Sequence, residues 1–304
     1  MVELSVVVPV FNEQEVISSF YTRIRKVLDE FPSQSELIFV DDGSGDSTVE
    51  ILDSIAKEDI RVRVVKLSRN FGHQAAVQAG IDQSVGSAVV TIDCDLQDPP
   101  EVIALLVEKW RMGADVVHAV REQRAGETKF KRLSASLFYR MMKKISDSPV
   151  VLDSGDFRLM SRRTIVAIQS LPERQRYIRG LATWVGFQQD LVYFHRDARF
   201  AGETKYPLRK QIRLAITAVT ALSVVPLQIA SAIGVALSSL SIALIPVLIV
   251  LRLLGVVGLG GQTTVLLALM FVSGIQLFCL GILGTYLGRV NVEVRGRPTY
   301  IIRE

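Results

Sequence analysis

The apolar positions in the first half of the chain fall into short unbroken runs separated by polar, charge-bearing stretches. Residues 4–10 form a continuous, largely β-branched run, and a polar helical pattern follows over about 13–30. A second apolar run, 37–40, stops at Asp41-Asp42-Gly43-Ser44; Asp46, Ser47 and Thr48 then offer N-caps for a helix reaching about Lys57. Residues 62–67 read as a third strand, the helix after Gly72 carries Ala75, Ala76, Val77 and Ala79, and residues 88–92 form a fourth strand ending at Asp93. Strands that are apolar throughout and alternate with helices predict a parallel sheet covered on both faces. Ligands of such sheets sit at the carboxyl ends of the strands. Asn12, Asp41, Asp42 and Asp93 all fall at or just beyond those ends. Further on, 121–132 reads as a basic linker, 134–144 as a helix, 153–160 as a loop entering a strand and 192–195 as a late strand.

The pattern changes after Arg213. Residues 214–251 contain no charge, and after Arg252 the stretch 253–288 is again uncharged. Runs of this length predict membrane helices. Residues 208–225 begin amphipathic and read as an interfacial helix. Pro226 separates it from a first span over about 228–251; a glycine-rich turn and a second span over about 263–287 follow. Arg209, Lys210 and Arg213 precede the first span, and Arg289, Arg295, Arg297 and Arg303 follow the second, which sets both ends on the cytoplasmic side. The expected organisation is therefore a catalytic domain over 1–205, an interfacial region over 206–227, two transmembrane helices within 228–288 and a tail over 289–304. Gly234, Ala236, Ser238 and Ser239 permit close helix packing and suggest a homo-oligomer, set at a tetramer.

Composition sharpens this picture only slightly. The net charge of +4 comes with no stripe of Lys and Arg interleaved with aromatics, which argues against nucleic acid. Cys94 and Cys279 lie far apart, so no disulfide framework is expected. The chain opens directly on a strand-like run rather than on a signal peptide, placing the soluble part in the cytoplasm and the whole at the inner membrane as a multi-pass protein.

The candidate chemistry lies in the acidic loops. Asp93 and Asp95 stand at i and i+2 on a loop leaving a strand, where their oxygens can face a hard cation and the diphosphate it neutralises. Gln97 and Asp98 add oxygen nearby, although Asp98 precedes Pro99 and equally suits a turn. A D-x-D triplet alone is common in solvated loops; its place after the fourth strand is what gives it weight. At Asp41 or Asp42 a carboxylate can accept from a nucleobase or ribose, and a turn followed by a helix cap is the competing reading.

Val8-Pro9-Val10-Phe11-Asn12-Glu13, Val40-Asp41-Asp42-Gly43-Ser44, Arg69-Asn70-Phe71-Gly72, Asp93-Cys94-Asp95-Leu96-Gln97-Asp98-Pro99-Pro100 and Gly155-Asp156-Phe157-Arg158-Leu159 occur in this order. With them the chain resembles the family 2 inverting glycosyltransferases of the GT-A fold. Within those it is similar to the polyprenyl-phosphate sugar transferases, relatives of dolichyl-phosphate mannose synthase. The paired spans and Gly296-Arg297-Pro298 fit the bacterial glucosyl branch. The resemblance implies an α/β, Rossmann-like, mostly parallel sheet. It places Pro9, Phe11, Glu13, Asp41, Asp42 and Asp93 around the nucleotide-sugar. Asp93, Asp95 and Gln97 fall at a Mg²⁺ or Mn²⁺ ion, and Arg121, Arg132 and Ser136 at the acceptor phosphate. Catalytic roles fall to Asp95, Asp156, Arg199 and Lys205. Phe11 stands where some relatives carry Tyr, which removes a hydroxyl contact.

The implied reaction is attack by polyprenyl phosphate on the anomeric carbon of a UDP-sugar, with inversion. A phosphate monoester is largely dianionic at neutral pH, so the leaving diphosphate rather than the nucleophile needs assistance. Asp156 then orients the sugar or a neighbouring arginine. Glucose is the expected sugar, with mannose from GDP-mannose, galactose and aminopentoses as alternatives. A sugar-polymerising synthase is a rival, yet Gln175-Arg176-Tyr177 only weakly echoes its Q-x-x-R-W run. A lipid-sugar translocation protein is a second rival, but it would have no use for Asp93 and Asp95.

Overall fold

The computed structural model describes residues 2–31, 35–121, 154–173, 178–195, 225–254 and 262–303. The chain divides into two compact units, Met1–Lys205 with Arg297–Glu304, and Tyr206–Gly296.

The first unit is built on a seven-stranded sheet. Its strands are β1 (Leu4–Val10), β2 (Ser35–Asp41), β3 (Val62–Lys66), β4 (Ala88–Thr91), β5 (Val116–Arg121), β6 (Ser154–Ser161) and β7 (Gln189–Phe194), in the order β3-β2-β1-β4-β6-β5-β7. The first four expected strands form where their apolar runs lie. β1 and β2 are buried at every residue, as strands covered on both faces must be. The helices of this unit are α1 (Ile17–Leu28), α2 (Thr48–Glu58), α3 (His73–Gln83), α4 (Val102–Arg111), α5 (Arg162–Gln169) and α6 (Ile178–Trp184).

α1 buries Ile17, Phe20, Ile24, Val27 and Leu28, a stripe at helical spacing that lays Phe20 edge-on against Phe39 of β2. It starts four residues later than the polar pattern from Glu13 predicts. The amides of Glu13 and Gln14 are taken by Thr48 Oγ1 and Asp46 Oδ2, so this turn is tied to the β2–α2 loop before the helix begins. α3 is buried continuously from Ala75 to Ile81, which explains its run of small residues.

One strand lies outside the expected set, and one runs in reverse. β5 was not among the expected strands, because His118 interrupts its apolar run and Asp115 precedes it. β6 runs antiparallel to both β4 and β5, so the sheet is mostly parallel, as expected, with one reversed strand. The reversal matters for the site: it brings the start of β6, not its end, to the edge where β1, β2 and β4 finish.

The second unit contains α7 (Val225–Leu253) and α8 (Gln262–Val294). They touch where the Cys279 thiol donates to the Ala230 carbonyl at 3.7 Å. α7 takes in Pro226 in its first turn, where a missing N–H costs nothing. α8 runs past the expected end near Leu287, through Arg289, until Gly296 adopts a left-handed φ of 62° and closes it. Among the described residues one stretch, Phe271–Val294, is long and apolar enough to cross a membrane. Leu277, Phe278, Leu280 and Leu287 of this stretch are largely exposed, which suits an apolar surrounding rather than water. Both cysteines are free, Cys94 in the first unit and Cys279 in the second. The expected interfacial helix over 208–225 lies almost wholly outside the described residues.

Candidate active site

Four loops meet at the carboxyl edge of the sheet. β1 delivers Phe11, Asn12 and Glu13, β2 delivers Asp41 to Ser44, β3 leads into the 68–72 loop, and β4 delivers Asp93 to Asp98. The antiparallel β6 adds Gly155 and Asp156.

The β1 and β2 loops are locked together by polar contacts. Asn12 adopts a φ of 54°, which asparagine tolerates better than most residues. Its amide donates to Ser44 Oγ at 2.9 Å, and its Oδ1 accepts from the Gly45 amide at 2.8 Å. Asp41 turns its carboxylate onto the amides of Gly43 and Ser44 at 3.1–3.3 Å. Asp42 accepts from the Phe71 amide at 2.7 Å and from the Gly72 amide at 2.9 Å. Both aspartates are buried and fix these loops. Pro9 lies within β1, while Phe11 is 44% exposed and free to face a planar ligand. The guanidinium of Arg69 lies 4.0 Å from the centre of the Phe71 ring.

A second cluster lies where β4 finishes and β6 begins. Thr91 pairs with Arg158 in register, and the Thr91 hydroxyl donates to the Asp156 carbonyl. Two residues further on, Asp93 and Asp156 leave the pair opposite one another. His73, the first residue of α3, stands between them: its Nε2 is 3.2 Å from Asp156 Oδ2 and 3.7 Å from Asp93 Oδ1. Asp156 also accepts from Gln74 Nε2 at 3.2 Å, and Arg179 Nη2 and Arg158 Nη2 lie 3.2 and 3.8 Å from its carboxylate. Burial opposes ionisation of Asp156, but the His73 hydrogen bond and the two guanidinium charges outweigh it and hold the carboxyl well below the usual range. Asp93 is the opposite case. Desolvation pushes it up to about 6, His73 opposes this, and Asp156, Asp98 and Asp95 add to it. Burial lowers the affinity of His73 for a proton, yet its bond to Asp156 and the charge of Asp93 leave it above an ordinary histidine.

Asp95 accepts from the Gln97 amide at 3.1 Å across Leu96, whose φ is 59°. Asp98 turns inward: its carboxylate is 1% exposed and lies 3.2 Å from Arg121 Nη2 at the end of β5. The structure thus gathers Asp93, Asp95, Gln97 and Asp156 on one edge with Pro9, Phe11, Glu13, Asp41 and Asp42, and adds Arg121 behind Asp98. Arg132, Ser136, Arg199 and Lys205 lie outside the described residues. Sequence reasoning missed His73, Arg179 and Arg158. His73 follows Gly72 of a quoted motif and Arg158 stands inside one, so both had a signal; Arg179, from a seven-residue helix much further along, had none.

Among the described residues no three His, Cys, Asp or Glu side chains converge as a ready metal cage. A small divalent ion held with a nucleotide needs only one or two carboxylates, the rest of its shell coming from phosphates and water. Asp93 and Asp95, crowded by like charge, fit that smaller requirement.

Residues 5–167 match the family described as Glycosyl transferase family 2. The chain is 43% identical over 303 residues to the uncharacterized glycosyltransferase YkcC of Bacillus subtilis (strain 168), covering 100% of this chain and 94% of that protein. It is 40% identical to the SfII prophage-derived bactoprenol glucosyl transferase of Shigella flexneri, covering 99% of this chain and 98% of that one. Among solved structures, glucosyl-3-phosphoglycerate synthase from Mycobacterium tuberculosis, in complex with Mn²⁺, UDP and phosphoglyceric acid, superposes with a TM-score of 0.51. The identity is 22%, over 72% of this chain and 76% of that one, a likeness of fold.

Proposed function

The chain belongs to glycosyl transferase family 2, and from that premise we propose that it transfers glucose from UDP-glucose to a membrane polyprenyl phosphate with inversion at the anomeric carbon. The observation that carries this reading is the approach of Asp93, just beyond β4, and Asp156, at the start of β6, to the same His73 nitrogen at the carboxyl edge of the sheet. Relatives of matching length named bactoprenol glucosyl transferases support the acceptor.

The side chains divide the chemistry. Phe11 and Glu13, with Pro9 and Asp41, border the nucleotide. Asp93, Asp95 and Gln97 would hold Mg²⁺ or Mn²⁺ with the donor diphosphate. Such an ion supplies neutralisation of the charge that develops on the leaving group. His73 and the two guanidinium groups hold Asp156 ionised, and no base is required by a phosphate nucleophile that is already anionic at neutral pH. Its carboxylate instead orients a sugar hydroxyl, with Arg179 alongside. Arg121, with Arg132 and Ser136, receives the acceptor phosphate, and Arg199 and Lys205 close on the diphosphate.

α7 and α8 serve as two spans, with the first unit on the cytoplasmic side. The acceptor's tail stays in the bilayer, because each CH₂ exposed to water costs about 0.8 kcal/mol. The site must therefore work at the headgroup plane.

The test is incubation of membranes holding the full chain with labelled UDP-glucose, polyprenyl phosphate and Mn²⁺ or Mg²⁺. Label in the chloroform phase is the expected result. A labelled water-soluble polymer would overturn the acceptor, and chloroform-soluble product from GDP-mannose alone would overturn the donor.

A further inference from the structure

The last described residues leave α8 and pack with the first unit. Gly296 ends the helix at a left-handed φ, and Pro298 cannot resume it. The chain then runs antiparallel along the end of β3. The Ser68 amide donates to the Ile301 carbonyl at 2.8 Å, the Arg303 amide donates to the Lys66 carbonyl at 2.7 Å, and Leu67 and Ile302 form a bridge. β3 is an outer strand of the sheet, so this segment covers an otherwise open edge. The Tyr300 hydroxyl donates to Asp82 Oδ2 at 2.9 Å, and Oδ1 of the same aspartate accepts from Gln78 at 2.8 Å and Gln169 at 2.9 Å. The Tyr300 ring packs on the apolar cluster around α3.

Covering an edge would be reason enough for a strand, but the residue it grips opens the 68–72 loop. That loop touches the β2 loop at Gly43, where φ is 76° and an added Cβ would lie 2.6 Å from the Arg69 carbonyl carbon and 2.8 Å from the Asn70 nitrogen. Its next two amides, Phe71 and Gly72, hold the Asp42 carboxylate, and the loop then delivers His73 to Asp156. A path of hydrogen bonds and chain neighbours therefore runs from Ile301 to Ser68 and along the 68–72 loop to Gly43, Asp42 and His73.

We infer that residues 300–303 form a positioning strand for the donor end of the active site, so that affinity for a uridine diphosphate depends on a segment beyond the long helices. The inference rests on the reading of this sheet edge as the donor site. Main-chain pairing gives such an added strand its hold, and the Tyr300 contact fixes its register.

The experiment compares the full chain with a chain ending at Thr299, and with Arg303→Pro, which lacks the amide donor, and Tyr300→Phe. The probe is UDP with Mn²⁺, measured by calorimetry, alongside hydrogen exchange at Ser68, Phe71 and Gly72. The expected result for the shortened chain and Arg303→Pro is UDP binding weaker by about tenfold or more, the equivalent of one or two lost hydrogen bonds. Exchange at the three amides is faster, and the KM for polyprenyl phosphate is unchanged. Tyr300→Phe moves the same way by less, and a peptide of residues 297–303 restores binding to the shortened chain. If the shortened chain does not fold, the two single substitutions decide. UDP affinity equal to that of the full chain in folded variants overturns the inference. A full chain that binds no UDP overturns the donor-site reading itself, a failure visible before any substitution is made.

Discussion

His73 Nε2 lies 3.2 Å from Asp156 Oδ2, joining the first turn of α3 to the start of β6 across the edge where Asp93 emerges. The contact ties the position of a carboxylate to a loop that also clasps Asp42. Asp156 has four neighbouring donors, so asparagine at this position keeps an accepting oxygen but loses the charge that balances Arg158 and Arg179. Asp156→Asn is expected to lower kcat by about a hundredfold or more, in the range seen when a group that acts on the transition state is removed. Arg158 is 1% exposed and would be left without a full counter-charge, so the variant should also melt earlier. Initial rates with saturating donor, together with a thermal melt, check both effects; an unchanged kcat would remove Asp156 from the reaction.

Asp93 has the opposite electrostatics, and its substitution should separate function from stability. Its folded pKa of about 6 lies above the unfolded value, so the folded state holds the extra proton between the two. Its contribution to stability therefore falls as pH rises through that window and stays low at neutral pH. Asp93→Asn is expected to abolish metal-dependent transfer and yet to melt higher than the parent at pH 7, the gap closing towards pH 4. Asp95→Asn should abolish the same activity with little gain in melting temperature. Chelator treatment of the parent should stop transfer, and added Mn²⁺ or Mg²⁺ should restore it. Full activity of Asp95→Asn would refute its place at the metal.

Much of this was legible because the signals are local. β1, β2 and β4 announce themselves as unbroken apolar runs ending in polar residues, and their order alone places Asp41 and Asp93 at one edge. Strand direction is not a local property. Nothing within Ser154–Ser161 says that it runs against β4, and the opposition of Asp93 to Asp156 depends on that direction. β5 was hidden because His118 and Asp115 break its apolar pattern, although both are buried by contacts from elsewhere in the chain. Arg179 reaches the site through tertiary packing and carries no mark in its own neighbourhood.

His118 gives a prediction about acid stability. It is fully buried beside Arg158, and its Nε2 lies 3.0 Å from Gln189 Oε1. Burial first, then the Arg158 charge, hold its pKa down to about 4, below the unfolded value. The unfolded chain therefore takes up the proton first as pH falls. Stability from this group is complete above about 6.5 and is lost between there and about 4. Between pH 7 and 5 the loss should be about 2 kcal/mol. His118→Gln removes the titration, so its stability should fall less than the parent's over that interval. Denaturant melts of both proteins at the two pH values measure the difference; parallel loss would mean that His118 is protonated in the folded state.

Asp98 and Arg121 allow the metal and acceptor roles to be separated. Asp98 stands three residues after Asp95, and from sequence it was a candidate oxygen ligand. Its carboxylate is 1% exposed and paired with Arg121 at 3.2 Å. On that geometry we propose that Asp98 is a positioning residue that aims Arg121, and that a metal would be held by Asp93 and Asp95. Asp98→Asn keeps the shape but weakens the hold on the guanidinium. It should raise the KM for polyprenyl phosphate several-fold, while the affinity for UDP and Mn²⁺ stays at the parental level. Arg121→Ala should raise the same KM further, and combining the two should add little, because both remove one interaction. Were Asp98 itself a ligand, Asp98→Asn would weaken Mn²⁺ binding and leave the acceptor KM alone. Titrating Mn²⁺ and polyprenyl phosphate separately against the three variants distinguishes the two arrangements.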